Sequence, residues 1–449
     1  FDMAFPFPAS TRMLVVPALA LITACAPAPS AERVIKASAA PAPVSAIESN
    51  AWWVAFNDPT LNSLVQTGLR QNLTVREAVE RINEAAAFTQ VTSGVGLTLG
   101  AESTRERADS LPINTAQGAS LQGTWLIDIF GQTRLNRQAA TARRDRAFFG
   151  ADGARLALAS EIATTYIDLR YAQEVRALTR RSLQSRQQSL DLISSQFEMG
   201  AATRLDVLRA RQLVAASEAR QPALEVAFDR AVNRLATLTL RPASDLQPLL
   251  QRGGPQPKAR FTASKGVPAE AMRRRPDVQA AEQDFAEKMA LIGVAQRDML
   301  PSISLLGAVT ARPGGGEGWS FGPRLNLPIF TGGANKANLS AAESRARQSW
   351  LVWQRTVLEA VEETRNALSA YQRDSRNIGA QQNLVSLSQE TIELARSSYE
   401  LGETDFLSIL DTEVSLQDSR EALAAAERDR AINYVRLSVA TAGSVPPRR

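Results

Sequence analysis

The sequence repeats itself with a period of about 200 residues, which restricts the chain to folds made of two similar halves. TWLIDIFGQTR (Thr124 to Arg134) is echoed by RLNLPIFTGGA (Arg324 to Ala334), and QFEMGAATRLDVL (Gln196 to Leu208) by SYELGETDFLSIL (Ser398 to Leu410). In each half a β-patterned stretch ending in Ile-Phe leads into a long Ala/Arg/Gln/Glu-rich run, which turns at a glycine and comes back. From about Gly131 to Phe197, and from about Ala334 to Tyr399, proline is absent and glycine rare. Runs of roughly 65 residues at 1.5 Å per residue predict helices about 100 Å long. Return helices from Arg204 to about Leu240 and from Asp405 to about Ala442 make antiparallel hairpins with tips at Met199-Gly200 and Leu401-Gly402. Taken alone, these hairpins have a coiled-coil spacer as their alternative reading.

Four segments alternate as strands do. Val95, Leu97, Leu99 and Ala101 share one face, as do Leu121, Trp125, Ile127 and Ile129. In the second half Ile303, Leu305, Gly307 and Val309 share a face, as do Trp319, Phe321, Leu325 and Leu327. Ser120, Gln122, Thr124, Asp128, Ser302, Ser304, Ser320, Arg324 and Asn326 fall opposite. One apolar and one polar face over about ten residues is the pattern of a lipid-facing barrel wall with a wet interior. Two hairpins packed on a soluble core would show the same alternation. In a membrane, a four-stranded sheet leaves two open edges at several kcal/mol per unpaired backbone group, so oligomerisation must close it. Three copies supply twelve strands around a water-filled lumen.

At the N-terminal side, Arg12 precedes MLVVPALALITAC, an apolar stretch of signal-peptide length and too short to span a bilayer. Ile22-Thr23-Ala24-Cys25 resembles the bacterial lipobox, whose cysteine carries acyl chains in the mature protein; Cys25 is the only cysteine and has no intrachain disulfide partner. An ordinary export signal with an incidental cysteine is the alternative. Ala26 after the cysteine points, by resemblance to bacterial lipoproteins, to the outer membrane, and several acyl chains anchor firmly. A Pro/Ala/Ser-rich tether follows, and structure is expected from AWWVAFNDPTL, with Asp58 as helix N-cap, Pro59 in the first turn, and Trp52, Trp53 and Phe56 as packing residues.

The absent chemistry excludes most enzymes. With no histidine and one cysteine in 449 residues, Ser-His-Asp, Cys-His, His/Cys zinc and redox-dithiol sites are ruled out. Acidic residues such as Glu161, Asp168, Glu174, Glu427 and Asp429 lie three or four positions from Arg or Lys in helical runs, the pattern of solvated or inter-helix faces. The balance of 51 basic and 46 acidic residues is interleaved and offers no nucleic-acid stripe. ARPGGGEG lacks the following G-K-[ST] of a phosphate loop. No cofactor is expected beyond the covalent lipid on Cys25.

W-W-x-x-F-x-D-P-x-L (Trp52 to Leu61), WLIDIFG (Trp125 to Gly131), RRPDVQAAE (Arg274 to Glu282), LPSISLLG (Leu300 to Gly307) and GWSFGPRLNLPIFTGGANKANL (Gly318 to Leu339) together resemble the TolC-like outer-membrane efflux factors, in their NodT/OprM-type lipoprotein branch. The resemblance covers nearly everything after Cys25. It implies a homotrimeric exit duct of a tripartite efflux or type I secretion-like system: a twelve-stranded β-barrel continued by a periplasmic α-barrel, loaded by an inner-membrane pump and a periplasmic adaptor. The fold expected is therefore mainly α with a transmembrane β portion. The organisation expected is a signal peptide (1–24), a lipid-anchored linker (25–58), a first repeat (59–242), an equatorial connection (243–267), and a second repeat with the C-terminal tail (268–449).

The resemblance also implies a gate. The family's Y-L-x-L-L-D segment reads Asp405-Phe406-Leu407-Ser408-Ile409-Leu410-Asp411 here, giving Leu407 as an apolar ring and Asp411 as a charged one, with Gly200 and Gly402 at the tips where the adaptor grips. A coiled-coil core position at Leu407 and an exposed helix residue at Asp411 is the equal alternative. Two departures from the family stand out: Glu84 to Gly94 lacks the usual Leu-Pro before the first strand, and Leu126 replaces a customary Glu. A lipid-anchored periplasmic spacer or adaptor without pore activity is the competing function.

Overall fold

A computed structural model describes residues 51–90, 94–106, 114–259, 269–312 and 316–443. The export stretch, Cys25 and the tether lie outside the described residues, as do the middle of the ARPGGGEG loop and part of the equatorial connection. A 3-10 turn (Trp52–Phe56) precedes α1 (Pro59–Gln71), α2 (Leu73–Thr89), β1 (Val95–Glu106), β2 (Asn114–Ile127), α3 (Gln132–Glu198) and α4 (Arg204–Thr239). Then follow α5 (Ala243–Leu250), α6 (Ala269–Arg273), α7 (Pro276–Arg297), β3 (Ser302–Arg312), β4 (Gly316–Asn326), α8 (Ala334–Glu400) and α9 (Phe406–Ala440).

The duplication is realised element by element. α3 and α8 are both 67 residues long, about 100 Å. Each starts behind a left-handed glycine, Gly131 (φ 75°) or Gly333 (φ 87°), and ends in a left-handed glycine, Gly200 (φ 74°) or Gly402 (φ 77°). The two C-terminal turns are the same. Gly200 N–H donates to the Phe197 carbonyl (3.0 Å) and Ala201 N–H to Gln196 (2.8 Å), as Gly402 and Glu403 do to Tyr399 (3.0 Å) and Ser398 (2.8 Å). This paired closure needs positive φ and explains why each hairpin turns at glycine. The short upper helices meet the return helices alike: Asn72 Nδ2 donates to the Leu238 carbonyl at 3.0 Å, and Arg275 Nη1 to the Ala440 carbonyl at 3.4 Å.

Side by side, the helices form four columns: α2 and α4, then α3, then α7 and α9, then α8. The sheet is antiparallel in the order β1-β2-β3-β4. One lateral edge of the chain therefore carries α2, α4 and β1, and the other α8 and β4.

The core sits at mid-length of α3. Asp58 caps α1 as expected, accepting from Thr60 N–H (2.8 Å) and Leu61 N–H (3.1 Å), and also accepts from the Tyr166 hydroxyl at 2.7 Å. Trp52, Trp53 and Phe56 are buried with Ile162, Tyr166, Leu235 and Tyr434. Edge-on rings join Trp52 to Trp53 (5.7 Å) and Phe56 to Tyr434 (5.2 Å), the geometry favoured by the aromatic quadrupole.

Two strand ends differ from the alternation. Ile129 and Leu327 were expected to continue β2 and β4, with Asp128 on the polar face, yet the strands stop at Ile127 and Asn326. Asp128 instead accepts from Thr133 N–H (3.1 Å) and Arg134 N–H (3.4 Å), capping α3. In the second half Pro328 has no N–H to extend a ladder.

Candidate functional site

Register aligns the alternation across all four strands. Four rows cross the sheet on one face: Leu99, Leu121, Val309, Trp319; Leu97, Gly123, Gly307, Phe321; Val95, Trp125, Leu305, Pro323; and Ile127, Ile303, Leu325. The opposite face carries the rows Thr98, Gln122, Ala308, Ser320; Gly96, Thr124, Leu306, Gly322; and Leu126, Ser304, Arg324, so it is mixed and mostly small or polar. A Cβ built on Gly307 would lie 3.6 Å from Phe321 Cδ2, so the aromatic ring covers the glycine and keeps the apolar face continuous. Trp319 and Phe321 remain 81% and 69% exposed. Each strand pairs only with strands, and no helix packs on the sheet to any appreciable extent among the described residues. The soluble-hairpin alternative requires a covering layer on the apolar face, and none is present among the described residues. Leu126 pairs directly with Ser304, which in turn pairs with Arg324, so it starts a row whose other members are polar.

The two hairpin tips pack on each other through Ile193, Val207, Ile392, Phe406, Ile409 and Leu410. Asp405 caps α9, accepting from Ser408 N–H (3.1 Å) and its hydroxyl (2.9 Å). Thr203 and Asp206 form a capping box on α4. Because Phe406, Ile409, Leu410 and Glu413 turn into this core, Leu407 and Asp411, four residues apart, share the other side of α9. Leu407 is half-buried and Asp411 exposed. The structure thus brings both residues onto one side facing away from their own chain's tip core. Gly200 and Gly402 occupy the hairpin turns, each preceded by a protruding apolar side chain, Met199 at 75% and Leu401 at 73% exposure.

Glu413 was not singled out in the sequence. Its buried Oε1 accepts from Ser185 Oγ (3.1 Å), Ser189 Oγ (2.8 Å) and Arg396 Nη2 (3.0 Å), tying α9 to α3 and α8. Its spacing after Phe406, Ile409 and Leu410 continues the core stripe, and that period was the available signal. Nearby, burial pushes the Arg186 guanidinium below its ordinary value, while it donates to Ser217 Oγ at 2.6 Å. Tyr399 donates to Gln196 across the hairpins, and burial, then the Asp206 charge, push its hydroxyl up. Glu413→Ala removes the shared acceptor of Ser185, Ser189 and Arg396 and leaves Arg396 Nη2 only Ser185 Oγ at 2.8 Å, at about 1–3 kcal/mol of local stability. Amide exchange over residues 185–196 should accelerate in Glu413→Ala and much less in Glu413→Gln. Equal exchange in wild type and Glu413→Ala would show that the carboxylate does not hold the tips together.

The family model described as outer membrane efflux protein matches residues 64–239 and 267–443. Nodulation protein T of Rhizobium leguminosarum bv. trifolii is 37% identical over 414 residues, covering 88% of each chain. Outer membrane protein OprJ of Pseudomonas aeruginosa is 32% identical over 418 residues, covering 87% of each. The solved outer-membrane channel OprN superposes with a TM-score of 0.81 at 28% identity, over 90% of this chain and 97% of that one. With the duplicated hairpins, the two-faced sheet and these likenesses, the chain belongs to the outer membrane efflux protein family, in its NodT/OprM-type branch, whose members are channels of the outer membrane and not enzymes.

Proposed function

We propose that three copies of this chain close into one conduit that serves as the exit duct of a tripartite efflux or secretion-like system. The observation that carries this reading is the coincidence of open edges: β1 with α2 and α4 on one side, β4 with α8 on the other. A neighbour that pairs β4 with β1 also sets α8 against α4, so one rotation satisfies the sheet edges and the helical edges together. Leu351, Leu358, Leu387 and Leu394 stand exposed on α8, and Leu208 and Val226 on α4, which supplies apolar surface for that contact. In the closed ring the apolar rows face lipid and the rows with Gln122, Ser304 and Arg324 face water.

Leu407 and Asp411 narrow the periplasmic end of this duct, and the Gly200 and Gly402 tips, with Met199 and Leu401 beside them, receive an adaptor that couples to an inner-membrane pump. Lipid on Cys25 anchors the chain to the outer membrane. Native mass measurement of the detergent-purified protein is expected to give three copies, and planar bilayers should show ohmic channels. A monomer that inserts yet leaves bilayers silent would replace this reading with the anchored spacer.

A further inference from the structure

Below the lipid-facing rows, the passage from strand to helix exposes four large apolar side chains at repeat-equivalent positions. Ile129 and Phe130 are 56% and 42% exposed, Ile329 and Phe330 88% and 90%. Directly beneath them stand Arg134, Arg137 and Lys336, all exposed and none in an ion pair among the described residues. The Arg134 side chain folds back over the turn, with Nε and Nη2 each 3.8 Å from where a Cβ on Gly131 would lie. A groove of about 650 Å³ between α3 and α7 opens at Arg134 and Arg137, and the one carboxylate in its lining, Asp145, is paired with Arg144 at 2.7 Å. Both its walls belong to one chain, away from the α2/α4 and α8 edges where neighbouring copies would sit.

We propose that Arg134 and Arg137 bind the phosphate of an anionic bilayer phospholipid, whose acyl chains run up past the Phe130 and Phe330 collar. The inference rests on the sheet being a membrane wall. It adds a headgroup-selective site at the periplasmic rim. Continuity with the apolar rows places acyl chains at the collar, and exposed cations without an ion-pair partner among the described residues match a headgroup of net negative charge, not a zwitterion whose own ammonium offsets its phosphate. Arg297 donates to the Phe130 carbonyl at 3.3 Å and holds the α7 end against the collar, while the nearby carboxylates are engaged, Asp128 by the Thr133 and Arg134 N–H groups and Asp298 by Gln132 Nε2 at 2.7 Å.

The test inserts the purified full chain into vesicles of phosphatidylcholine alone or doped with phosphatidylglycerol, checks insertion by flotation, and counts retained lipids by native mass spectrometry. Wild type should retain phosphatidylglycerol over phosphatidylcholine by roughly fivefold for each arginine. Arg134→Gln with Arg137→Gln should fall to near parity with assembly and conductance unchanged, while Arg134→Lys with Arg137→Lys keeps most of the preference. Insertion without any headgroup preference, or an equal preference in the glutamine variant, overturns the site alone. Failure to insert into either vesicle overturns the membrane wall and the site with it.

Discussion

Replacing Leu407 and Asp411 together by alanine is expected to raise single-channel conductance several-fold over wild type in planar bilayers. A ring of three leucines can hold a narrow axis dry, and a ring of three carboxylates one turn away admits cations and repels anions. The two act at different depths, so their single variants should differ in kind. Leu407→Ala is expected to widen the dry step and raise conductance with little change in ion preference. Asp411→Ala is expected to lower cation selectivity with a smaller gain in current. Both substitutions are tolerable for the fold: Asp411 is exposed, Leu407 only half-buried, and the tip core is carried by Phe406, Ile409 and Leu410 on the other side of α9. Wild-type conductance in the double variant, with normal assembly, would remove both residues from the gate.

Tyr434→Ala should be the most damaging single change to the helical part. Tyr434 is fully buried, stacks edge-on with Phe56 and Trp52, lies 6.0 Å from Tyr371, and donates its hydroxyl to the Trp52 carbonyl at 3.0 Å. Truncating an aromatic side chain in such a core costs about 3–5 kcal/mol, whereas Tyr434→Phe, which loses only the hydrogen bond, costs about 1 kcal/mol. Helical circular dichroism should show an early melt in Tyr434→Ala, and protease should cut near the Trp52–Phe56 turn, which loses its ring partner. An unchanged melt would mean that the mid-length core does not limit stability.

The same core gives the protein an alkaline limit. Burial pushes the Tyr434 hydroxyl up to about 12, and burial with the Asp58 hydrogen bond pushes Tyr166 up to about 12, from an ordinary value of 10.0. The fold therefore favours the neutral phenols. Their contribution is full below about pH 10 and is lost as pH rises through about 12, because the unfolded chain releases those protons first. Between those values Tyr434→Phe should lose less stability than wild type, which a pair of melts at neutral and alkaline pH would read directly.

The sequence by itself determined the elements and their repetition. Proline-free runs and punctuating glycines fix α3 and α8 to within a residue or two, because a missing N–H or a positive φ acts locally whatever surrounds it. Alternation placed Trp125, Trp319 and Phe321 on one face for the same reason: successive side chains on a strand must point to opposite sides. Asp58 as a cap was legible because its partners are two and three residues away. At the tip, i and i+4 spacing alone sets Leu407 and Asp411 on one side of α9, and the quoted family segment supplied their role as an expectation.

Tertiary structure decided what depends on partners distant in the chain. It took the packing of α3 and α8 against α9 to turn Glu413 from an apparent surface acid into a buried acceptor, since Ser185 and Ser189 lie more than 220 residues from it. Asp128 left the polar strand face for the start of α3 because two helical N–H groups without intrahelical partners compete for its carboxylate. Register settled whether four amphipathic strands make one continuous apolar face, and column order settled that the sheet edges and helix edges coincide. Neither can be read locally, because a one-residue slip keeps every strand amphipathic yet moves its apolar set to the other face.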